Sequence, residues 1–215
     1  MIPINTSYIL LKKHLQRGAS LSVFTRLSLY SILGFFFTSC GVQYKFTNSA
    51  AALSDSSFVY ALPYPKGSSK LVVQGYRSKL SHRNRLALDF KMKKGSPVTA
   101  ARSGIVTRVE ESFTRGGANK KYLGKANVIV IRHADGSQAM YAHLQHNGAL
   151  VNIGDTVKKG QLIGKSGSTG YSALPHLHFI VWGPVPGGGR SQLPTRFLTS
   201  SGVKYLKPGK KYKAP

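Results

Sequence analysis

Three short segments of this 215-residue chain concentrate side chains that can hold a metal ion or move a proton. They are His82-Arg-Asn-Arg-Leu-Ala-Leu-Asp89-Phe90, Tyr141-Ala142-His143-Leu144 and Pro175-His176-Leu177-His178-Phe179. A catalytic zinc ion takes three protein ligands and leaves a fourth position for water, and two imidazoles with one carboxylate satisfy that count. The ion lowers the pKa of its water to about 7 and polarises a carbonyl. A neighbouring neutral imidazole can accept a proton, or hold a developing oxyanion once protonated. These segments offer one Asp and four His for such a site. The whole chain has only 6 Asp plus Glu, so carboxylate chemistry has few other candidates. The single cysteine excludes an intramolecular disulfide framework, a CxxC redox pair and a thiolate zinc knuckle.

The elements that must position these residues read as strands. Alternate residues of a strand share a face. His176 and His178 therefore point one way, with Ile180 and Trp182 beyond them, while Leu177, Phe179 and Val181 point into a core. Strand signals occur at 70–75, 86–90, 98–101, 104–109, 128–131, 138–144, around 157, at 162–163 and at 176–182. The unbroken apolar run 128–131 suits a strand buried on both faces. Asp135-Gly136 supplies a hairpin signal that returns the chain as 138–144. Residues 112–126 and 183–189, rich in Gly with Lys or Pro, read as exposed loops. No helical period is sustained after residue 57, so the expectation is an all-β fold with antiparallel sheets. Composition agrees. With 23 Gly, 11 Tyr, 10 Phe and 17% charged residues, the chain looks like a turn-rich β protein, and 41% apolar residues suffice for a core.

His82 with Asp89, Tyr-Ala-His143-Leu and His176-Leu-His178 together resemble the motif set of the lysostaphin-type (LytM-like) zinc metallopeptidases. The glycine-marked turns at 95–106, 154–164 and 167–170 resemble that family's framework, and the similarity covers roughly 60–185. The resemblance implies two antiparallel β-sheets forming a groove with Zn2+ at its floor. It also implies hydrolysis of peptide bonds in bacterial peptidoglycan. Residue by residue, it makes His82, Asp89 and His178 the zinc ligands and His143 and His176 the catalytic pair, which orients water and stabilises the tetrahedral intermediate. One departure stands out: six residues separate His82 from Asp89 where the family more commonly has three. That spacing demands a turn around Arg83-Asn84-Arg85 before the 86–90 strand. The alternative on the same fold is a non-catalytic cell-wall-binding or regulatory module, but such relatives typically lack a ligand and this chain lacks none. The 154–164 stretch also resembles the turn of biotinyl and lipoyl carrier domains, without a Lys in a convincing carrier hairpin.

The other candidates have plainer readings. His133, before a hairpin turn, and His146, after a strand, read as surface residues rather than ligands, although His146 could substitute for His143 as a groove residue. Asp135 and Asp155 sit in turns, where Asp bonds to nearby backbone. Glu110-Glu111 reads as a solvated strand end, and Trp182 as core or rim packing.

Targeting signals fill the start of the chain. Residues 1–39 carry Lys12, Lys13, Arg17 and Arg26, no acid, and an uncharged apolar run at 27–37. Eleven residues are too few to span a bilayer, which takes about 20. They fit a secretory signal core. Small residues then precede the lone Cys40, which resembles a bacterial lipoprotein signal with Cys40 lipidated as the new N-terminus. The expected organisation is a signal peptide 1–39, a flexible tether 40–57, a zinc metallopeptidase domain 58–197 and a basic extension 198–215. The expected location is exported and membrane-anchored, with Gly41 after Cys40 favouring an outer membrane and a periplasmic face. The formal charge of +25, or +21 once the four leader cations are removed, draws the chain toward polyanions such as an anionic wall. No nucleic-acid motif accompanies that charge, so no nucleic-acid partner is expected. The expected partners are peptidoglycan peptides and, through Cys40, a membrane.

Overall fold

The structure is a computed structural model that describes residues 59–215. The expected signal peptide, the lipidation site Cys40 and the tether 40–57 lie outside the described residues.

Among the described residues the chain forms β1 (Val59–Ala61), β2 (Ser69–Gln74), β3 (Ala87–Lys91), β4 (Pro97–Thr99), β5 (Gly104–Glu110), β6 (Gly116–Gly117), β7 (Asn127–Arg132) and β8 (Gln138–Ala149). It continues through β9 (Thr156–Val157), β10 (Leu162–Ser166), β11 (Gly170–Tyr171), β12 (His176–Pro184), β13 (Arg190–Gln192), β14 (Arg196–Thr199), β15 (Gly202–Lys204) and β16 (Lys211–Lys213). A short 3-10 turn at Lys120–Tyr122 interrupts the loop read at 112–126. The all-β expectation therefore holds. Eleven strands join in one sheet, ordered β16-β2-β3-β12-β8-β7-β5-β9, with β10 bridging β4 to β8 and β13 lying on β12. The pairs at its centre are antiparallel. A three-stranded sheet β1-β14-β15 and a two-residue pairing of β6 with β11 complete the fold, and β1 with β14 and β6 with β11 run parallel.

This order explains how distant segments meet. Asp89 lies on β3, His176 and His178 on β12, and His143 on β8, and these three strands are neighbours in the middle of the sheet. The expected alternation on β12 is present: Leu177, Phe179 and Val181 are buried in the core. Phe179 packs edge-on against Tyr60, Tyr141 and Phe197, with ring centroids 6.1, 5.3 and 5.6 Å away. Each such ring contributes about 1.5–3 kcal/mol by burial alone. The phenol oxygens are satisfied as well. Tyr141 Oη accepts the Ala101 N–H at 2.8 Å, and Tyr64 Oη donates to the Tyr212 carbonyl at 2.8 Å.

Two readings change on contact with the structure. The segment 198–215 is packed into the fold: β16 pairs with β2, and Leu206 and Ala214 enter the core. Its Lys residues alternate with apolar ones that cover β2, a pattern too short to stand out from the charge. His133 is buried rather than on the surface. Its Nδ1 donates to the Ser103 carbonyl at 2.8 Å and its ring meets Tyr60 at 5.4 Å.

Candidate functional site

The turn demanded by the long spacing between His82 and Asp89 is present. After β2 the chain reverses through two backbone hydrogen bonds, Arg85 N–H to the His82 carbonyl and Arg77 N–H to the Arg85 carbonyl, both 2.9 Å. Leu86 N–H is capped by Gln192 Oε1 at 2.6 Å. Residues 83–86 thus complete a loop that leads into β3 and returns His82 over Asp89. His82 Nε2 lies 3.3 Å from Asp89 Oδ2, and its Nδ1 is held by the Gly75 carbonyl at 3.1 Å. A carbonyl oxygen only accepts, so the Nδ1 carries a proton, and Nε2 is the ring nitrogen that faces Asp89.

His178 sits directly opposite Asp89 in the β12–β3 ladder, and its Nδ1 is 2.8 Å from Asp89 Oδ1. His176, two residues earlier on the same face, places Nε2 3.7 Å from Asp89 Oδ2. Its Nδ1 donates to the Leu174 carbonyl at 2.7 Å, with Ser172 Oγ at 3.3 Å. Asp89 is 2% exposed, a carboxylate enclosed by three imidazoles. Burial alone would raise its pKa. Hydrogen bonds from His178 and His82 outweigh burial and hold the carboxyl well below the usual range. For His178 burial prevails over the pull of Asp89 and pushes the imidazole down. For His82 burial opposes, but the Asp89 carboxylate leaves the net shift upward.

His143 reaches the cluster by a different device. Between β7 and β8 the register passes from Val128↔Ala142 to Asn127↔Leu144, so His143 is the extra residue of a β-bulge. Its φ is +63°, the left-handed region that favours glycine. Bulges re-aim side chains beside functional sites. Here the ring turns to within 4.6 Å of His176 and 5.7 Å of His178, centroid to centroid. Its Nδ1 donates to the Thr169 carbonyl at 2.7 Å, leaving Nε2 unprotonated. Burial, reinforced by the other imidazoles, pushes its pKa down to about 3.

The structure thus brings all five expected residues together. One donor atom each from His82, Asp89 and His178 lie within 4.8 Å of one another, and the same is true of His143, His176 and His178. The first set fits a zinc ion better. It is buried and includes an ionised carboxylate that offsets the ion's charge, whereas the second is three imidazoles with no carboxylate.

Sequence reasoning missed the residues that hold these side chains. Gln74 donates from Nε2 to Asp89 Oδ2 at 2.9 Å and to Ser81 Oγ at 3.0 Å. Thr169 and Leu174 contribute only backbone carbonyls to His143 and His176, a role any residue type could fill. In the sequence Thr169 stands out only as part of the Gly167-Ser-Thr-Gly170 turn. His146 remains exposed, bonded to the Glu111 carbonyl. Glu111 is more than a strand end: its Oε2 accepts the Ala149 N–H at 3.0 Å. Trp182 is half-buried at the end of β12.

Known proteins point the same way. A family model described as peptidase family M23 matches residues 83–191, a span that takes in Asp89, His143, His176 and His178 and begins one residue after His82. An uncharacterized metalloprotease of Haemophilus influenzae is 39% identical over 92 residues, which is 43% of this chain and 17% of that protein. Glycyl-glycine endopeptidase ALE-1 of Staphylococcus capitis is 39% identical over 120 residues, 55% of this chain and 30% of that protein. The chain therefore spans less than a third of either relative. The catalytic domain of lysostaphin from Staphylococcus simulans aligns in space over 53% of this chain and 78% of its own, at 35% identity and a TM-score of 0.40.

Proposed function

The chain belongs to peptidase family M23, and from that premise we propose that it is a zinc-dependent endopeptidase hydrolysing peptide bonds in bacterial peptidoglycan. The observation that carries the reading is the enclosure of ionised Asp89 by His82 and His178 at 3.3 and 2.8 Å, with His176 at 3.7 Å and His143 beside it. His82, Asp89 and His178 would hold the zinc ion. When bound, zinc supplies Lewis acidity toward a carbonyl and acidifies water to a pKa of about 7.

The chain's own groups do the rest. His143 and His176 each donate from Nδ1 to a backbone carbonyl, so in both Nε2 is the ring nitrogen left for the chemistry. At neutral pH His143 is uncharged and takes a proton from the attacking water as general base. The resulting imidazolium hands that proton to the departing amine. His176, on β12 between β3 and β8, orients the water through its Nε2.

The leader residues 1–39 and Cys40 support a further reading, that the chain is exported and tethered by lipidated Cys40, favouring the outer membrane. Incorporation of labelled fatty acid that is lost in Cys40→Ser tests this anchoring.

The enzymatic reading is tested by mass spectrometry of peptidoglycan digests from the wild type and His178→Ala, with and without added zinc. Expected are about one zinc per chain, chelator-sensitive cleavage, and loss of both zinc and cleavage in His178→Ala. Full activity of His178→Ala overturns it.

A further inference from the structure

A cavity of about 400 Å³ opens beside the five-residue cluster, with Lys94, Arg115, Tyr122, His146, Ser168 and Thr169 in its walls. The same turn builds the cavity and fixes the catalytic pair. The Thr169 carbonyl holds His143, and Gly167 bridges to His176 in an isolated β-contact. Two glycines keep this wall thin. A Cβ at Gly116 would collide with the Ser168 carbonyl, and one at Gly167 would come 2.5 Å from the Gln145 nitrogen. A peptide whose scissile amide lay over His143 and His176 would place a neighbouring residue in this space.

The charge of the cavity is one-sided. Its lining includes Lys94 and Arg115 and no Asp or Glu. Lys121 stands next to it, its Nζ 5.2 Å from the centre of the Tyr122 ring. Among the described residues no ion pair involves Lys94 or Arg115. Nor do the described residues have carboxylates to spare. Asp89 is held in the cluster, Asp135 pairs with Arg102, Glu110 caps Ser112, Glu111 takes the Ala149 N–H and Asp155 takes the Asn152 N–H. A ligand's anion therefore meets two exposed cations that no carboxylate of the described residues engages. A guanidinium matches a carboxylate in a two-point geometry, and a nearby ammonium adds a point charge.

We propose that this cavity is the subsite for a substrate residue bearing a free carboxylate, with Arg115 and Lys94 as its counter-charges. The inference rests on the peptidase reading and narrows its substrate class to acidic cross-linked peptides rather than uncharged glycine bridges.

The test uses the full zinc-loaded chain and two synthetic cross-linked peptides that differ only in one carboxylate, free or amidated, next to the scissile bond. Cleavage kinetics are measured for the wild type and for the Lys94→Gln, Arg115→Gln double variant. Calorimetric binding of each peptide is measured in parallel. The wild type is expected to prefer the free acid about tenfold, chiefly through KM, and the double variant to bring the two KM values together. Equal KM values in the wild type, or a preference that survives the double substitution, overturn the subsite. If the wild type cleaves neither peptide, the peptidase reading fails and the binding data decide. Tighter binding of the acid that is lost in the double variant supports the subsite, and equal binding of the two peptides overturns it.

Discussion

Gln74 Nε2 lies 2.9 Å from Asp89 Oδ2, the oxygen that His82 Nε2 also faces at 3.3 Å. The amide is itself anchored, because its Oε1 accepts the Ser81 N–H at 3.2 Å. It therefore fixes the carboxylate and ties β2 to the loop that carries His82. A β-bulge makes this possible: the β2–β3 register passes from Val72↔Phe90 to Gln74↔Asp89, which swings Gln74 onto the face of Asp89.

Gln74→Ala should therefore weaken zinc binding about 10- to 100-fold without removing a ligand, the cost typical of losing a group that orients one. Competition with a fluorescent chelator measures it. An unchanged affinity would show that the β3–β12 ladder alone positions Asp89.

His143 combines an imidazole with a left-handed backbone, a conformation that costs an L-residue roughly 1–2 kcal/mol relative to glycine. His143→Gly and His143→Ala should both abolish cleavage, yet the Gly variant should be the more stable by about 1 kcal/mol. Urea denaturation of the two variants at neutral pH gives the comparison. Equal stabilities, or a more stable Ala variant, would mean that the bulge stores no strain.

The five residues of the cluster were legible because their chemistry is carried by residue type and by strand period. His176 and His178 stand two apart on β12, and Leu177 and Phe179 mark the opposite face. The strand centres were legible for the same reason. The positive φ of His143 was not, since nothing in Tyr-Ala-His-Leu encodes a bulge; it arises from pairing with Asn127 and Val128. Gln74 was invisible because its role exists only once the register shift turns it toward Asp89. The burial of His133 depends on Tyr60, 73 positions earlier in the chain, which no local pattern around the Asp135-Gly136 turn could announce.

The C-terminal segment supplies structure as well as charge. Tyr212 offers its carbonyl to Tyr64 Oη and its own hydroxyl to the Lys207 N–H at 2.9 Å, while Leu206 and Ala214 sit in the core. Ending the chain after Phe197 removes the second half of β14 with β15 and β16, exposes Tyr64 and Val72, and strips the buried Leu206, worth about 1.5–3 kcal/mol by itself. The shortened protein should unfold at a lower urea concentration or accumulate insoluble. A midpoint equal to that of the full chain would show that residues 198–215 are dispensable to the fold.

His133 gives the fold a pH dependence separate from the metal cluster. Its Nε2 is buried without a hydrogen-bond partner, and its ring packs against Tyr60. Burial drives its pKa down. The Ser103 carbonyl and Asp135 pull upward, and Arg102 adds to the depression. A folded pKa below the unfolded value means that the unfolded chain binds more protons as pH falls through about 6.5, so stability declines on acidification until the folded pKa is reached. Above about 6.5 both states are neutral and the residue contributes no slope. His133→Phe keeps a ring against Tyr60 and removes the titration, at the cost of the bond to Ser103. Its urea midpoint should therefore vary less between pH 7 and pH 5 than that of the wild type, whatever its absolute stability. Parallel curves for the two proteins over that range would show that the Arg102–Asp135 pair, 2.6 Å apart at the same corner, masks the imidazole's titration.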